Sequence, residues 1–243
     1  MWNPSPAGYL RAGTPVGQLH PQGPLTSTPA VGNEDFWRNV WNNENGLPAG
    51  LPPVTETSPD LRRPVDRLFE ALGSNSNPTN FLLLDENVNE LKGLVETFKA
   101  PMAQDEFDDR LEAATNPSSG VTNMEDVTRM LAPLRELSAM FTYLGDDDVI
   151  SAIDNSASAV YLQLQLIELW IQDAEGLSAH WSEFYPEYFR LVSEFARTWA
   201  RDRIEEIRTA YEAYPYAEYR EEVLAALTEL EDGIPDWKYP SED

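Results

Sequence analysis

Two histidines, three consecutive aspartates and two carboxylates on one amphipathic stretch are the residues of this chain most open to chemistry. His20 lies among prolines and glycines, and His180 lies in LSAHWSEFY. A di-metal site in a helical bundle needs two Glu-x-x-His pairs that project inward. Position 177, three residues before His180, is Leu, and the only other histidine is His20. His180 therefore reads as a packing histidine, at the surface or partly buried. Asp146, Asp147 and Asp148 carry the oxygen ligands that a divalent cation takes, but no Glu follows at the distance that closes a twelve-residue calcium loop. Asp154 and Glu168 are fourteen positions apart, about 21 Å along a helix, too far to act as an acid–base pair. There is no cysteine, hence no disulfide framework and no thiolate metal site. No glycine-rich phosphate loop and no G-x-S-x-G occurs. The expectation is a non-enzymatic chain with no catalytic residue, metal or cofactor.

The stretch Asp146–Gly176 carries the aspartates and both carboxylates, and it explains them more simply. Ile150, Ile153, Ala157, Val160, Leu164, Ile167 and Ile171 alternate in steps of three and four, the spacing of a helix with one buried seam. Tyr161 and Trp170 are expected to widen that seam to a bundle face. The three aspartates then sit where a helix N-terminus favours acceptors and negative charge. Fully burying the larger seam residues would contribute roughly 1.5–3 kcal/mol each, as an upper bound.

The chain around this helix is helical from residue 60 onward. The spacing predicts helices over Pro64–Leu72, Phe81–Phe98 with Asn80 as cap, and Pro101–Ala114. Another runs from Thr122 or Asn123 to Leu144, kinked or split at Pro133. Gly145 followed by the aspartates predicts a tight turn and an antiparallel hairpin of the helices on either side. A short helix over Ser178–Phe184, a long one over Pro186–Tyr214 and a last one near 216–231 complete the set. No useful alternating strand pattern occurs. The expected fold is all-α: an antiparallel bundle of about six to eight helices over residues 59–232. A tail over 233–243 follows, which Trp237 and Tyr239 can pin.

Residues 1–33 differ in kind. Pro and Gly recur every few positions, so neither helix nor central strand persists. Yet Trp2, Tyr9, Leu10, Val16, Leu19, Leu25 and Val31 are spaced along the stretch, unlike the apolar-poor composition of simple linkers. The pattern is that of an extended docking arm. EDFWRNVWNN, residues 34–43, predicts a short helix whose Phe36, Trp37, Val40 and Trp41 form an aromatic face. Such a face is either a lid on its own body or an interface hot spot. With the Pro/Gly composition of residues 45–59, the arm is expected to run to residue 58.

Charge bounds the partners. The chain carries 42 acidic and 17 basic residues, a formal net charge of −25, and only three of the basic residues are lysines. Residues 1–58 account for −2 of this, from Arg11 and Arg38 against Glu34, Asp35, Glu44 and Glu56. At physiological salt, with a Debye length of about 8 Å, such charge opposes compaction; at molar salt the length falls to about 3 Å. Abundant carboxylates with few lysines resemble the proteins of salt-in halophiles, especially haloarchaea and their viruses; the likeness is one of composition, not of motif. A phosphate backbone would be repelled, so nucleic acid is not an expected partner. Asn155–Ile167, the longest uncharged run of the seam helix, is too short and polar to span a bilayer. MWNPSPAGYL has neither the basic nor the apolar region of a secretory signal. The expected function is structural: a capsid, connector or tail accessory component of a virus infecting a halophilic archaeon. It would bind several copies of neighbouring subunits through the arm, in the virion or in a high-salt cytoplasm, with no small-molecule substrate. The alternative is an acidic DNA mimic that inhibits a nucleic-acid-binding protein.

Overall fold

The computed structural model describes residues 34–79, 81–116 and 124–240. Seven α-helices are described: α1 (Pro64–Leu72), α2 (Glu86–Glu96), α3 (Gln104–Thr115), α4 (Met124–Leu144), α5 (Asp147–Trp170), α6 (Leu177–Ala213) and α7 (Arg220–Gly233). A π-helical turn, Phe36–Val40, and 3-10 turns at Gln172–Ala174 and Ile234–Asp236 accompany them, and no strand occurs among the described residues. The all-α expectation holds.

The chain divides into two compact units. The first comprises residues up to Leu83, Asp147–Leu191 and Pro240 onward; the second comprises Leu84–Asp146 and Val192–Tyr239. Residues 59–232, expected to form one body, thus contribute to both. In the first unit α5 packs on α1, and in the second α4 packs on α2, α3 and α7.

Helix boundaries follow local chemistry. Asp85, not Asn80, caps α2: its side chain accepts from the backbone N–H of Asn87 at 3.0 Å and of Val88 at 3.4 Å. The helix ends before Phe98, which takes a left-handed conformation (φ 55°) while Lys99 N–H donates back to the Leu94 carbonyl. Glycine usually fills that position; here the Phe98 ring packs edge-on to Phe195 at 5.7 Å. Tyr219 is likewise left-handed (φ 61°), so α7 starts at Arg220 rather than near 216.

Pro133 does not split its helix, and Pro186 does not start one. Pro133 lies inside α4, buried among Met130, Leu131, Leu134 and Leu137. Pro186 lies inside the 37-residue α6. A mid-helix proline costs about 3 kcal/mol. Around Pro186, Trp181 packs on Tyr185 at 4.9 Å, Tyr185 on Phe189 at 4.9 Å and Phe184 on Tyr188 at 5.2 Å. Such pairs at i, i+4 contribute about 0.5–1.5 kcal/mol each beyond burial, enough together to offset that cost.

The core of the first unit joins the π turn to α5. Phe36, Trp37, Trp41 and Leu47 are buried in one cluster with Ala71 of α1 and Val160, Leu164, Ile167 and Ile171 of α5. Leu51 and Val54 pack against the same cluster. Four residues of the segment expected to be arm, Phe36, Trp37, Trp41 and Leu47, therefore belong to this core. Backbone ties fix it, with Leu47 N–H donating to the Arg62 carbonyl and Val65 N–H to the Trp41 carbonyl. In the second unit Trp237 stacks on Phe141 at 5.3 Å and Tyr239 meets the same ring edge-on. Both are buried, as expected of residues that pin the tail.

Candidate interaction surface

The arm anchors Trp2, Tyr9, Leu10, Leu19 and Leu25 lie outside the described residues. The remaining four, Phe36, Trp37, Val40 and Trp41, lie in the π turn and at its end. A π turn closes i→i+5 bonds, here from Trp41 N–H to the Phe36 carbonyl at 2.9 Å. That geometry brings Phe36 and Trp41 to 5.9 Å and leaves Trp37 edge-on to both, at 4.9 and 5.3 Å. The spacing i, i+1, i+4, i+5 suits this wider turn. Phe36, Trp37 and Trp41 are buried and Val40 half-buried. They anchor the segment to its own unit, the lid of the two alternatives, and are not free for a partner.

The seam helix has two different faces. Val160, Leu164, Ile167 and Ile171 are buried, while Ile150, Ile153 and Ala157 are only half-buried. Trp170, expected to widen the seam, is 57% exposed. At 100° per residue it lies beside a stripe of Leu162, Leu166 and Leu169, on the side of α5 away from the seam. Leu162 is 58% and Leu169 81% exposed, and Leu166 is half-buried. Asn155, on the same line, is exposed too.

Buried polar groups near α5 hold its neighbours in place. Arg67, fully buried on α1, donates to the Gln163 side-chain carbonyl at 2.9 Å, to the Leu61 carbonyl at 3.3 Å and to the Pro52 carbonyl at 2.7 Å. Burial lowers its pKa, against the pull of Asp60. The three bonds staple the Pro-rich segment 52–61 to α1 and α5. Glu70, one turn on, is also buried. Burial alone would raise its carboxyl, but the hydroxyls of Ser58, Ser74 and Ser76 outweigh that and hold it below the ordinary value. Ser58 Oγ donates at 2.6 Å. Neither Arg67 nor Glu70 stood out in sequence; the available signal was a charge at i, i+3 from Pro64 and one residue before Ala71, on the buried face of a nine-residue helix.

The candidate chemistry disperses. Glu168 accepts from Ser178 N–H at 2.5 Å and Ser178 Oγ at 2.9 Å, capping the first turn of α6. Asp154 is exposed. Asp147 and Asp148 occupy the first turn of α5. His180 is buried, and burial lowers its pKa, partly opposed by Glu183. In the second unit Glu96 is paired with Lys92 at 2.7 Å and accepts from Tyr239 Oη at 3.0 Å. Tyr211, buried with its hydroxyl toward the Ala114 carbonyl, is pushed up to about 12 by burial. Among the described residues no group of three or more acidic or histidine side chains is placed to hold a metal ion. No described helix is long and apolar enough to cross a membrane. Compared with protein-family models, curated proteins and solved structures, the chain matches none.

Proposed function

We propose that this chain is a non-enzymatic assembly protein whose N-terminal arm ties neighbouring subunits together, a virion component of a virus that infects a halophilic archaeon. One observation carries the proposal. Residues 1–33 hold no acidic residue and a single charge, Arg11, yet space Trp2, Tyr9, Leu10, Leu19 and Leu25 along their length, in a chain of net charge −25. Two such chains repel each other through their acidic parts. A nearly uncharged segment with apolar anchors is the part a neighbour can accept at least electrostatic cost. The buried aromatic root supports this, because an arm must be fixed at one end to transmit a tie. Capsid, connector and tail accessory proteins present many copies side by side, which suits such a device. The halophilic host follows from 42 acidic residues beside three lysines, and the place of action is the virion or the host cytoplasm.

The test is sedimentation of the full chain in multi-molar potassium chloride. Replacing Trp2, Tyr9, Leu10, Leu19 and Leu25 by Ser is expected to abolish the oligomer while leaving the helix signal unchanged. An oligomer that survives all five changes contradicts the proposal. The acidic excess alone favours a second reading, mimicry of DNA toward a nucleic-acid-binding protein. A pull-down against such proteins in dilute salt decides it; molar salt would screen the mimicry away.

A further inference from the structure

We propose that the exposed stripe Leu162–Leu166–Leu169–Trp170 on α5 is the surface that receives the N-terminal arm, residues 1–33, of a second copy of this chain. The inference rests on the arm-mediated assembly proposed above and names the receiving face.

The stripe combines two properties that are hard to reconcile with an idle surface. It is apolar and exposed, with Leu162, Leu169 and Trp170 all more than half accessible. It is also uncharged in an acidic chain. Between Asn155 and Trp170 the only charged residue is Glu168, and its carboxylate is engaged by Ser178 at the start of α6. A face that serves only solvation would carry the carboxylates found on the other exposed helix surfaces, such as Asp105, Glu106, Asp108 and Asp109 on α3. Contiguous exposed apolar residues mark a contact surface.

Charge selects the occupant. A second acidic body brought against α5 meets repulsion, whereas the arm brings Arg11 as its only charge. Its anchors are the large aromatic and aliphatic side chains that fill an apolar helix face. Length permits the contact. Thirty-three extended residues reach on the order of 100 Å at about 3.3 Å each. The arm joins the described chain at Glu34, and the following Phe36, Trp37 and Trp41 pack on the seam side of α5, with the stripe on its other side. The root of one copy's arm therefore leaves its own stripe open to a neighbour's arm.

Complementation tests this with full-length chains at multi-molar potassium chloride. The stripe variant carries Leu162→Gln, Leu169→Gln and Trp170→Gln; the arm variant carries the five serine changes. The three substituted positions are exposed, so the helix signal is expected to match the parent and serves as the folding control. The parent is expected to sediment as an oligomer, each variant alone as a monomer, and an equimolar mixture as a dimer held by the one intact arm on the one intact stripe. A mixture that stays monomeric, or a parent that is monomeric at every concentration, overturns docking in trans. If the stripe variant assembles and the arm variant does not, the receiving face lies elsewhere although arm-mediated assembly stands. If both variants assemble as the parent does, assembly through the arm falls as well.

Discussion

At the scale of single residues, buried charge is the most exposed to test. Arg67 meets three acceptors and no carboxylate within bonding distance is among them. Arg67→Met keeps much of the volume but leaves the Pro52 and Leu61 carbonyls and the Gln163 side chain without this donor. Leaving such groups unsatisfied costs about 1–3 kcal/mol each when water cannot replace the donor. A loss of about 2–4 kcal/mol in chemical denaturation is expected; a loss below about 0.5 kcal/mol would show the staple to be idle. Acid provides a second test at this scale. Glu70 is held below its ordinary value of 4.5, so its contribution is complete above that value and disappears as pH falls through the lower folded one. Glu70→Gln is therefore expected to narrow its stability gap to the parent as pH drops below about 4.5. A gap that stays constant down to pH 2 would contradict the assignment. His180 acts in a different window. Its folded pKa lies below 6.5, so the unfolded chain takes up the proton first and stability declines as pH falls from 6.5 toward the folded value. His180→Gln should remove that decline and leave the one below 4.5 in place; melting curves at pH 7, 5.5 and 4 separate the two.

At the scale of elements, the two faces of α5 predict opposite outcomes for similar changes. Val160→Asp buries an unpaired carboxylate in the cluster with Phe36, Trp37 and Trp41 and is expected to unfold the first unit. Trp170→Gln, on the exposed side, is expected to stay within about 0.5 kcal/mol of the parent. Equal melting of Val160→Asp and the parent would mean that α5 is not the core of its unit. Much of this element was legible: steps of three and four gave the seam, and the aspartates gave its start. The half of the seam before Val160 is only half-buried, because periodicity reports which side turns inward and not how much chain covers it. Trp170 was misplaced for a related reason; its angle lies outside the seam, and hydrophobicity alone does not bury a residue. Asp85 displaced Asn80 as the cap of α2 because its carboxylate reaches the amide groups of Asn87 and Val88, which the expected boundary placed well inside the helix. Pro186 was taken as a first-turn residue since local propensity cannot weigh the aromatic ladder on either side of it.

At the scale of the whole molecule, composition was the most legible property and connectivity the least. Among the described residues, the absence of strands and the number of helices followed from pattern. The division into two units did not, because α5 pairs with α1, far back in the sequence, while α4 pairs with its neighbours α2 and α3 and with the distant α7. The Arg67–Gln163 bond closes 96 positions and leaves no local trace. The same holds for the π turn at Phe36–Val40, where the aromatic spacing was visible but its burial against Val160 and Leu164 was not. The segment expected to be arm thus includes core residues, and removing everything to residue 58 would strip Phe36, Trp37, Trp41 and Leu47 from the core.

We propose that this acidic chain is built for concentrated salt and assembles there through its one nearly uncharged segment. Far-UV circular dichroism with sedimentation, over potassium chloride from dilute to multi-molar, tests it most directly. Screening shortens from about 10 Å at 0.1 M to about 3 Å at 1 M. Helix content and a compact, oligomeric species are predicted to rise together across that range. A chain that is fully helical and a monodisperse monomer in dilute buffer, and remains so as salt rises, would contradict both halves of the claim. Its negative surface would then require another purpose, with inhibition of a DNA-binding protein the first to pursue.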